Sequence, residues 1–274
     1  MAKDDTFNRS VNSHRVWIAT TLLFAIISTY LFFSGQASKT RSSSLVQIPS
    51  GSFATPESAI RHFVEGLASD NPSQAFEACA ILEPVEGFDF KEYASQVGSL
   101  SPYSDAPPNS KFQTEFNRIK RLRDITRQAR NLILSLALTD DRFRGLSDGQ
   151  VVSLGSETER ANLVDLYTKQ DTLSVLEDVE IVRIDVPKLW KEKSSDPLAK
   201  THQRKRGQIT GEEDSTERVV LFRINDQHFS GGFRLVQFGG NWKIEMLSSN
   251  FAGTSSSGSA ELTSEQQYVS EYLE

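Results

Sequence analysis

Four histidines and one cysteine limit the chemistry open to this chain of 274 residues. His62 and Glu65 lie three apart in a segment with helical spacing, so one helix face would carry both, and a shared divalent cation is what such a pair offers. No second histidine or cysteine lies near them in sequence, and the plainer reading is a partly exposed helix pair. Asp226 and His228 flank a turn between two strand-like stretches; metal binding or acid–base work there needs partners the sequence does not supply. Tyr93, Tyr103 and Tyr167 with Asp89 or Asp165 make a third set, since an apolar pocket raises a carboxylate's pKa into the range useful for proton transfer. No spacing brings these five together. A Gly-x-Ser-x-Gly elbow, a phosphate-cradling glycine loop, His-Glu-x-x-His and paired Cys-x-x-Cys are all absent from the sequence. Cys79, within AFEACAIL, reads as a buried core thiol and leaves no partner for an intrachain disulfide. The sequence therefore assigns no catalytic residue, no metal ligand and no cofactor.

Two basic clusters are more suggestive. One runs along a helical pattern as Arg118, Lys120, Arg121, Arg123, Arg127 and Arg130; the other comprises Lys188, Lys191, Lys193, Lys200, Arg204, Lys205 and Arg206. They read either as a solvated helix face and a solubilising loop, or as a contact for a protein partner or an anionic surface. In the second case Arg118, Arg121, Arg123, Arg127, Lys200, Arg204, Lys205 and Arg206 would carry it. Thirty basic against 36 acidic residues give a formal net charge of −6, which argues against general nucleic-acid binding. Among the basic residues of the second cluster the only aromatic is Trp190, which argues the same way.

The elements that would position these groups follow from hydropathy and turn chemistry. Val16 to Phe33 is an uncharged, mostly apolar run of 18 residues, about 27 Å as a helix, enough to cross a bilayer core. It is read as an uncleaved anchor; a secretory signal cut after Ala37 is the alternative. Lys3, Arg9 and Arg15 before the run outnumber Lys39 and Arg41 after it, which keeps residues 1–15 in the cytoplasm and sends the large domain outside. Residues 34–53, rich in serine, read as a flexible stalk, and residues 54–250 as one exported domain.

Within that domain Thr55-Pro56-Glu57 is a helix start, followed by an apolar face of Ile60, Phe63, Val64 and Leu67. Asp70-Asn71-Pro72 starts a second helix through about Leu82, and a third, weaker one spans Phe88 to Val97. Ser110 to Leu138 is the longest helical pattern, with an apolar set of Phe112, Phe116, Ile119, Leu122, Ile125, Leu132, Ile133 and Leu136; Thr158 to Gln170 is a shorter one. The period then changes to that of strands at Val179–Val186, Arg218–Ile224, Phe229–Phe238 and Trp242–Leu247. Turns at Asn225-Asp226-Gln227 and Gly239-Gly240-Asn241 make the last three a meander, and Gly231-Gly232 marks a bulge. Residues 188–214 read as a charged loop and residues 251–274 as a low-complexity acidic tail. Helices first and meander last predict an α+β domain, helices packed on a curved antiparallel sheet, with Phe63 and Trp242 both in its core.

The opening TPESAIRHFVEGLASDNPSQAFEACAI and the closing RVVLFRIND…FRLVQFGGNWKIEML resemble the two ends of exported NTF2-like domains, the cystatin-like α+β cone. The resemblance covers about 75 residues and rests on hydrophobic spacing and turns, while the helix at 110–138 and the stretch at 188–214 depart from it. It implies a domain that serves as an isomerase or dehydratase in some members and as a binding or assembly module in many others. With no catalytic signature, the expected function is a single-pass membrane-anchored, extracytoplasmic binding or assembly module, an accessory or scaffold subunit of a membrane-associated complex. The alternatives are a small-ligand-binding domain using the cone pocket and an isomerase- or hydrolase-like enzyme.

Overall fold

Asn225 and Asp226 adopt φ of 47° and 62°, and Gly239 and Gly240 adopt 55° and 77°. Two successive left-handed residues make the tight hairpin turn whose twist matches the flanking strands. In the computed structural model, which describes residues 50–97, 111–137, 155–161 and 174–274, these turns join β2 (Asp214–Ile224), β3 (Gln227–Phe238) and β4 (Asn241–Met246) into an antiparallel meander. β1 (Glu180–Asp185) pairs with β2, and β5 (Glu261–Thr263) pairs with β3 beyond the part that β4 occupies. The four predicted strands are all present, β2 beginning four residues earlier than its hydrophobic pattern. The fold is α+β with an antiparallel sheet.

One face of the sheet carries Val220, Phe222, Ile224, Phe229, Phe233 and Leu235, all buried. Against it pack α1 (Pro56–Ala68), α2 (Pro72–Glu77) and the second half of α5 (Lys111–Ala137), which contribute Ile60, Phe63, Ala75, Ile125 and Leu132. Between α2 and α5 lie two short helices, α3 (Glu83–Glu86) and α4 (Phe90–Val97). The start of α1 is a capping box: Thr55 Oγ1 accepts from the Ser58 amide, the Ser58 hydroxyl accepts from the Thr55 amide, and Pro56 takes the first helical position. Asn71 caps α2 in the same way, accepting from the Gln74 amide at 3.2 Å.

Several expectations are corrected. α2 stops at Glu77 rather than near Leu82, because Ala78–Ala80 leave the helix to bond with β4; the Ala80 amide donates to Ile244 O at 2.8 Å and the Ile244 amide to Ala78 O at 2.7 Å. The end of the predicted stalk belongs to the domain: Phe53 is buried and its carbonyl accepts from the Trp242 amide at 2.8 Å. In α5, Phe116 and Ile119 are 53% and 61% exposed. Ile119 precedes the buried Ile125 by six residues and Phe116 by nine, about 240° and 180° round a helix, so the apolar set is not one stripe. Gly231-Gly232 forms no bulge against β2, where Val220↔Gly231 and Val219↔Gly232 sit in unbroken register; the irregularities fall at Ile181/Arg183 and Arg234/Leu235. A side chain at Gly232 would instead run into the Ser249 amide and Thr254 Oγ1, so close approach of another chain segment is the reason for that glycine.

The predicted charged loop is two helices, α6 (Lys188–Lys193) and α7 (Pro197–Thr210). Asp196 accepts from the Leu198 amide at 2.7 Å, Pro197 opens α7, and Gly211 ends it at φ 80°. The tail is also structured. After β5, Ser264 caps α8 (Glu265–Tyr272), which lies on the opposite face of the sheet, where Tyr268 and Tyr272 cover Val219 and Leu221. Tyr268 is fully buried and its hydroxyl donates to Val219 O at 2.9 Å. Helices thus cover both faces of the sheet. The expected helix at Thr158–Gln170 lies largely outside the described residues, of which 157–161 are helical.

Phe63 is fully buried whereas Trp242 is only half-buried at the core's edge. Phe63→Ala is expected to cost about 3–5 kcal/mol of stability and Trp242→Ala clearly less, as read by urea unfolding. Gly232→Ala is expected to be as damaging as Phe63→Ala, because Thr254 Oγ1 and the Ser249 amide nitrogen block the added carbon.

Candidate functional site

β1 pairs with β2 only over Val219–Arg223, leaving the outer edge of Asp214–Arg218 without a strand. An open edge of this kind is commonly covered by another element, and here α6 and α7 lie over it. The covering leaves a cleft of about 390 Å³ lined by Pro56, Trp190, Ser194, Lys200, Gln203, Asp214, Ser215, Thr216, Arg218 and Trp242. Its size falls in the range of small-molecule sites.

Four polar side chains of the cleft, Gln203, Asp214, Thr216 and Arg218, are held in place by hydrogen bonds. Gln203 Nε2 donates to Asp214 Oδ1 at 2.5 Å, and the same oxygen accepts from the Ser215 amide at 2.8 Å. Arg218 Nε donates to Glu57 Oε1 at 2.6 Å, Nη1 to Glu217 O at 3.0 Å, and Nη1 also to Thr216 Oγ1. Burial opposes ionisation of Glu57, but the hydrogen bond and charge of Arg218 outweigh it and hold the carboxyl below its ordinary value. α7 is tied to the sheet through Arg206, which meets Glu245 and, at 3.0 Å, Glu212. Burial raises the Glu212 carboxyl above its ordinary value against the pull of Arg206.

Trp190 packs edge-on against Phe251 with ring centroids 5.1 Å apart. The Phe251 amide in turn donates to Glu217 Oε2 at 3.0 Å, and Glu217 is wholly buried with Ser249 Oγ on the same oxygen at 2.6 Å. A buried carboxylate therefore fixes the Ser249–Phe251 segment that holds one tryptophan, and Trp242 leans on the hydrophobic core.

The candidates from sequence are scattered. His62 Nε2 meets Glu77 Oε2 at 2.9 Å, so its partner is Glu77 and not Glu65, which is exposed. Asp89 is exposed and caps α4 by accepting from the Glu92 amide at 2.9 Å, while Tyr93 packs on Phe88 and Phe90. Tyr103, Asp165 and Tyr167 lie outside the described residues. Asp226 is exposed in its turn and His228 is half-buried on β3. Among the described residues no three His, Cys, Asp or Glu side chains gather as a metal site would need. Of the basic sets, Arg118 is ion-paired with Glu115 at 3.6 Å, Arg121 is half-buried, Arg123 and Arg127 are exposed on α5, Lys200, Arg204 and Lys205 are exposed on α7, and Arg206 is taken up by Glu245 and Glu212.

Lys243 escaped notice in the sequence. Its side chain is 2% exposed, and Nζ donates to Glu77 O at 2.6 Å and Ser50 Oγ at 3.2 Å, with Glu83 Oε1 at 3.6 Å. An alternating strand pattern with one lysine gave no sign that the ammonium is enclosed. Burial pushes it below its ordinary value, against the opposing pull of Glu83. Cys79 is buried as expected, and burial raises its thiol well above the ordinary value.

No protein-family model and no curated sequence matches the chain. A cystatin-like protein from Ruminococcus gnavus ATCC 29149 is similar in structure, with 13% identity and a TM-score of 0.46 over 84% of this chain and 46% of that one. The chain thus spans about half the length of that protein.

The pH dependence of Lys243 has a definite sign. The unfolded chain binds its proton more tightly than the folded one, so this group's contribution to stability rises with pH towards the ordinary value of 10.5. Between about pH 7 and about pH 10, wild type is expected to gain unfolding free energy relative to Lys243→Met; parallel curves would show that the buried ammonium is not under strain. Taking the difference removes Tyr268, whose raised value acts in the opposite sense; Cys79, which interacts with Lys243, is removed by making both proteins in a Cys79→Ala background.

Proposed function

We propose that this chain is a membrane-anchored binding or assembly module of NTF2-like type, held by Val16–Phe33 with its large domain outside the cytoplasm. The observation that carries the reading is the cleft: its Gln203, Asp214, Thr216 and Arg218 side chains are braced by hydrogen bonds, and two tryptophans stand half-buried beside them. That is an arrangement for holding a ligand. Among the described residues no helix is long and apolar enough to cross a membrane, and the run at Val16–Phe33 lies outside them; the anchor rests on hydropathy alone.

The exposed basic residues of α6 and α7 support the assembly reading. Lys188–Arg206 holds seven basic against two acidic residues in a chain of net charge −6. Tethering keeps such a face at high effective concentration near a membrane complex, so weak charge complementarity suffices. A small-ligand role is the second reading, favoured by the same cleft. Between α1 and the sheet, where the sequence expectation put a pocket, Phe63, Phe222 and Phe233 are fully buried.

In-cell crosslinking followed by pull-down tests this, using the full chain and a chain lacking Met1–Phe33. The full chain is expected in the membrane fraction with specific partners that disappear when the anchor is removed. Recovery of the full chain alone, from the soluble fraction, would contradict the proposal.

A further inference from the structure

The cleft also says what kind of ligand it takes. The charges at it come close to balance: Arg218 is paired at 2.6 Å with Glu57, which lies just outside the lining, and the lining's other two charges are Lys200 and Asp214. A strongly anionic or cationic ligand gains little from such a set. An aliphatic ligand fits no better, since seven of the ten lining residues are polar or charged and their desolvation would go uncompensated. What remains suited is a neutral molecule with many hydroxyl groups and small apolar faces.

The two indoles supply those faces. Trp190 and Trp242 are half-buried, and among the described residues neither indole N–H has a hydrogen-bond partner; the same holds there for the Lys200 ammonium. Around them Gln203, Asp214, Ser194 and Thr216 offer both donors and acceptors. Sugar rings present a flat patch of C–H bonds that stacks on an indole and an equatorial rim of hydroxyls that bonds planar amide and carboxylate groups. Trp190 packs at a steep angle on Phe251 and Trp242 on the core, which restricts both indoles before a ring docks.

We propose that the cleft between α6–α7 and the open edge of β2 is a saccharide-binding site for a neutral oligosaccharide or a neutral stretch of a surface polymer, stacked on Trp190 and Trp242 and hydrogen-bonded by Gln203, Asp214 and Lys200. This rests on the reading of the chain as a binding module and names the ligand class of that module's cleft.

The test is titration of the full chain, in a detergent without a sugar headgroup, with chitohexaose, cellohexaose, xylohexaose and maltohexaose, read by tryptophan emission and by calorimetry. At least one is expected to give saturable binding. Trp190→Ala and Trp242→Ala should each weaken it at least about tenfold, with Trp190→Phe and Trp242→Phe retaining part of the affinity because a ring face survives. Arg223→Ala, remote from the cleft lining, should leave it unchanged. No saturable response to any of the four at millimolar concentration, or binding that survives in both alanine variants, overturns the saccharide site. If proline-rich peptide or inorganic phosphate binds instead, and is lost in the alanine variants, the ligand class is wrong while the binding-module reading stands. If the crosslinking pull-down is blank as well, both fall.

Discussion

The pairing of β2 with β3 is the constraint on which the rest of the structure depends. Eleven consecutive residue pairs, from Asp214↔Gln237 to Ile224↔Gln227, zip the two longest strands together around a two-residue turn. Side chains then alternate strictly between faces. Val220 and Phe222 meet α1 and α5, while Val219 and Leu221 meet α8. A slip of one residue would exchange those sets and strand both helical layers. β2 also outruns β1 on one side, and that surplus of edge is what α6 and α7 cover and what the cleft borders.

Buried charge does the finer positioning. Lys243 gathers Ser50, Glu77 and Glu83 around one ammonium, which ties the start of the described domain to the end of α2 and to α3. Glu217, wholly enclosed, holds the Ser249–Phe251 segment that steadies Trp190. Arg206, Glu212, Glu245 and Arg234 pin α7 to the sheet; Arg234 Nε and Glu245 Oε2 lie 2.9 Å apart but are not aligned for a hydrogen bond. Each such group carries a desolvation cost that its partners offset.

The hydrophobic periods and the turns were legible from residues alone, because Asn225-Asp226 and Gly239-Gly240 can adopt the left-handed backbone that a tight hairpin demands. So were the starts of α1 and α2, written in Thr55-Pro56 and Asn71-Pro72. α7 carried a comparable signal in Asp196-Pro197 and Gly211, but its charge density suggested a loop; high polarity reports exposure, and an exposed helix is as polar as a loop. The C-terminal segment misled for a related reason. Its serines lie between structured ends, and the two tyrosines that anchor α8, Tyr268 and Tyr272, are too few to make an apolar pattern. The cleft itself left no local trace, since its residues come from α1, α6, α7, β2 and β4, and only tertiary pairing brings them together.

The central structural claim is that α6, α7 and α8 are integral to the domain, so that the cleft is formed before any ligand arrives. Amide hydrogen exchange on the full chain tests this most directly. The account predicts the slowest exchange in β2 and β3, clear protection across Pro197–Thr210, and protection in Glu265–Tyr272 that is lost together with the sheet as denaturant is added. Exchange of Lys188–Thr210 at the rate of an unstructured peptide would contradict it, because the cleft would then have only one wall.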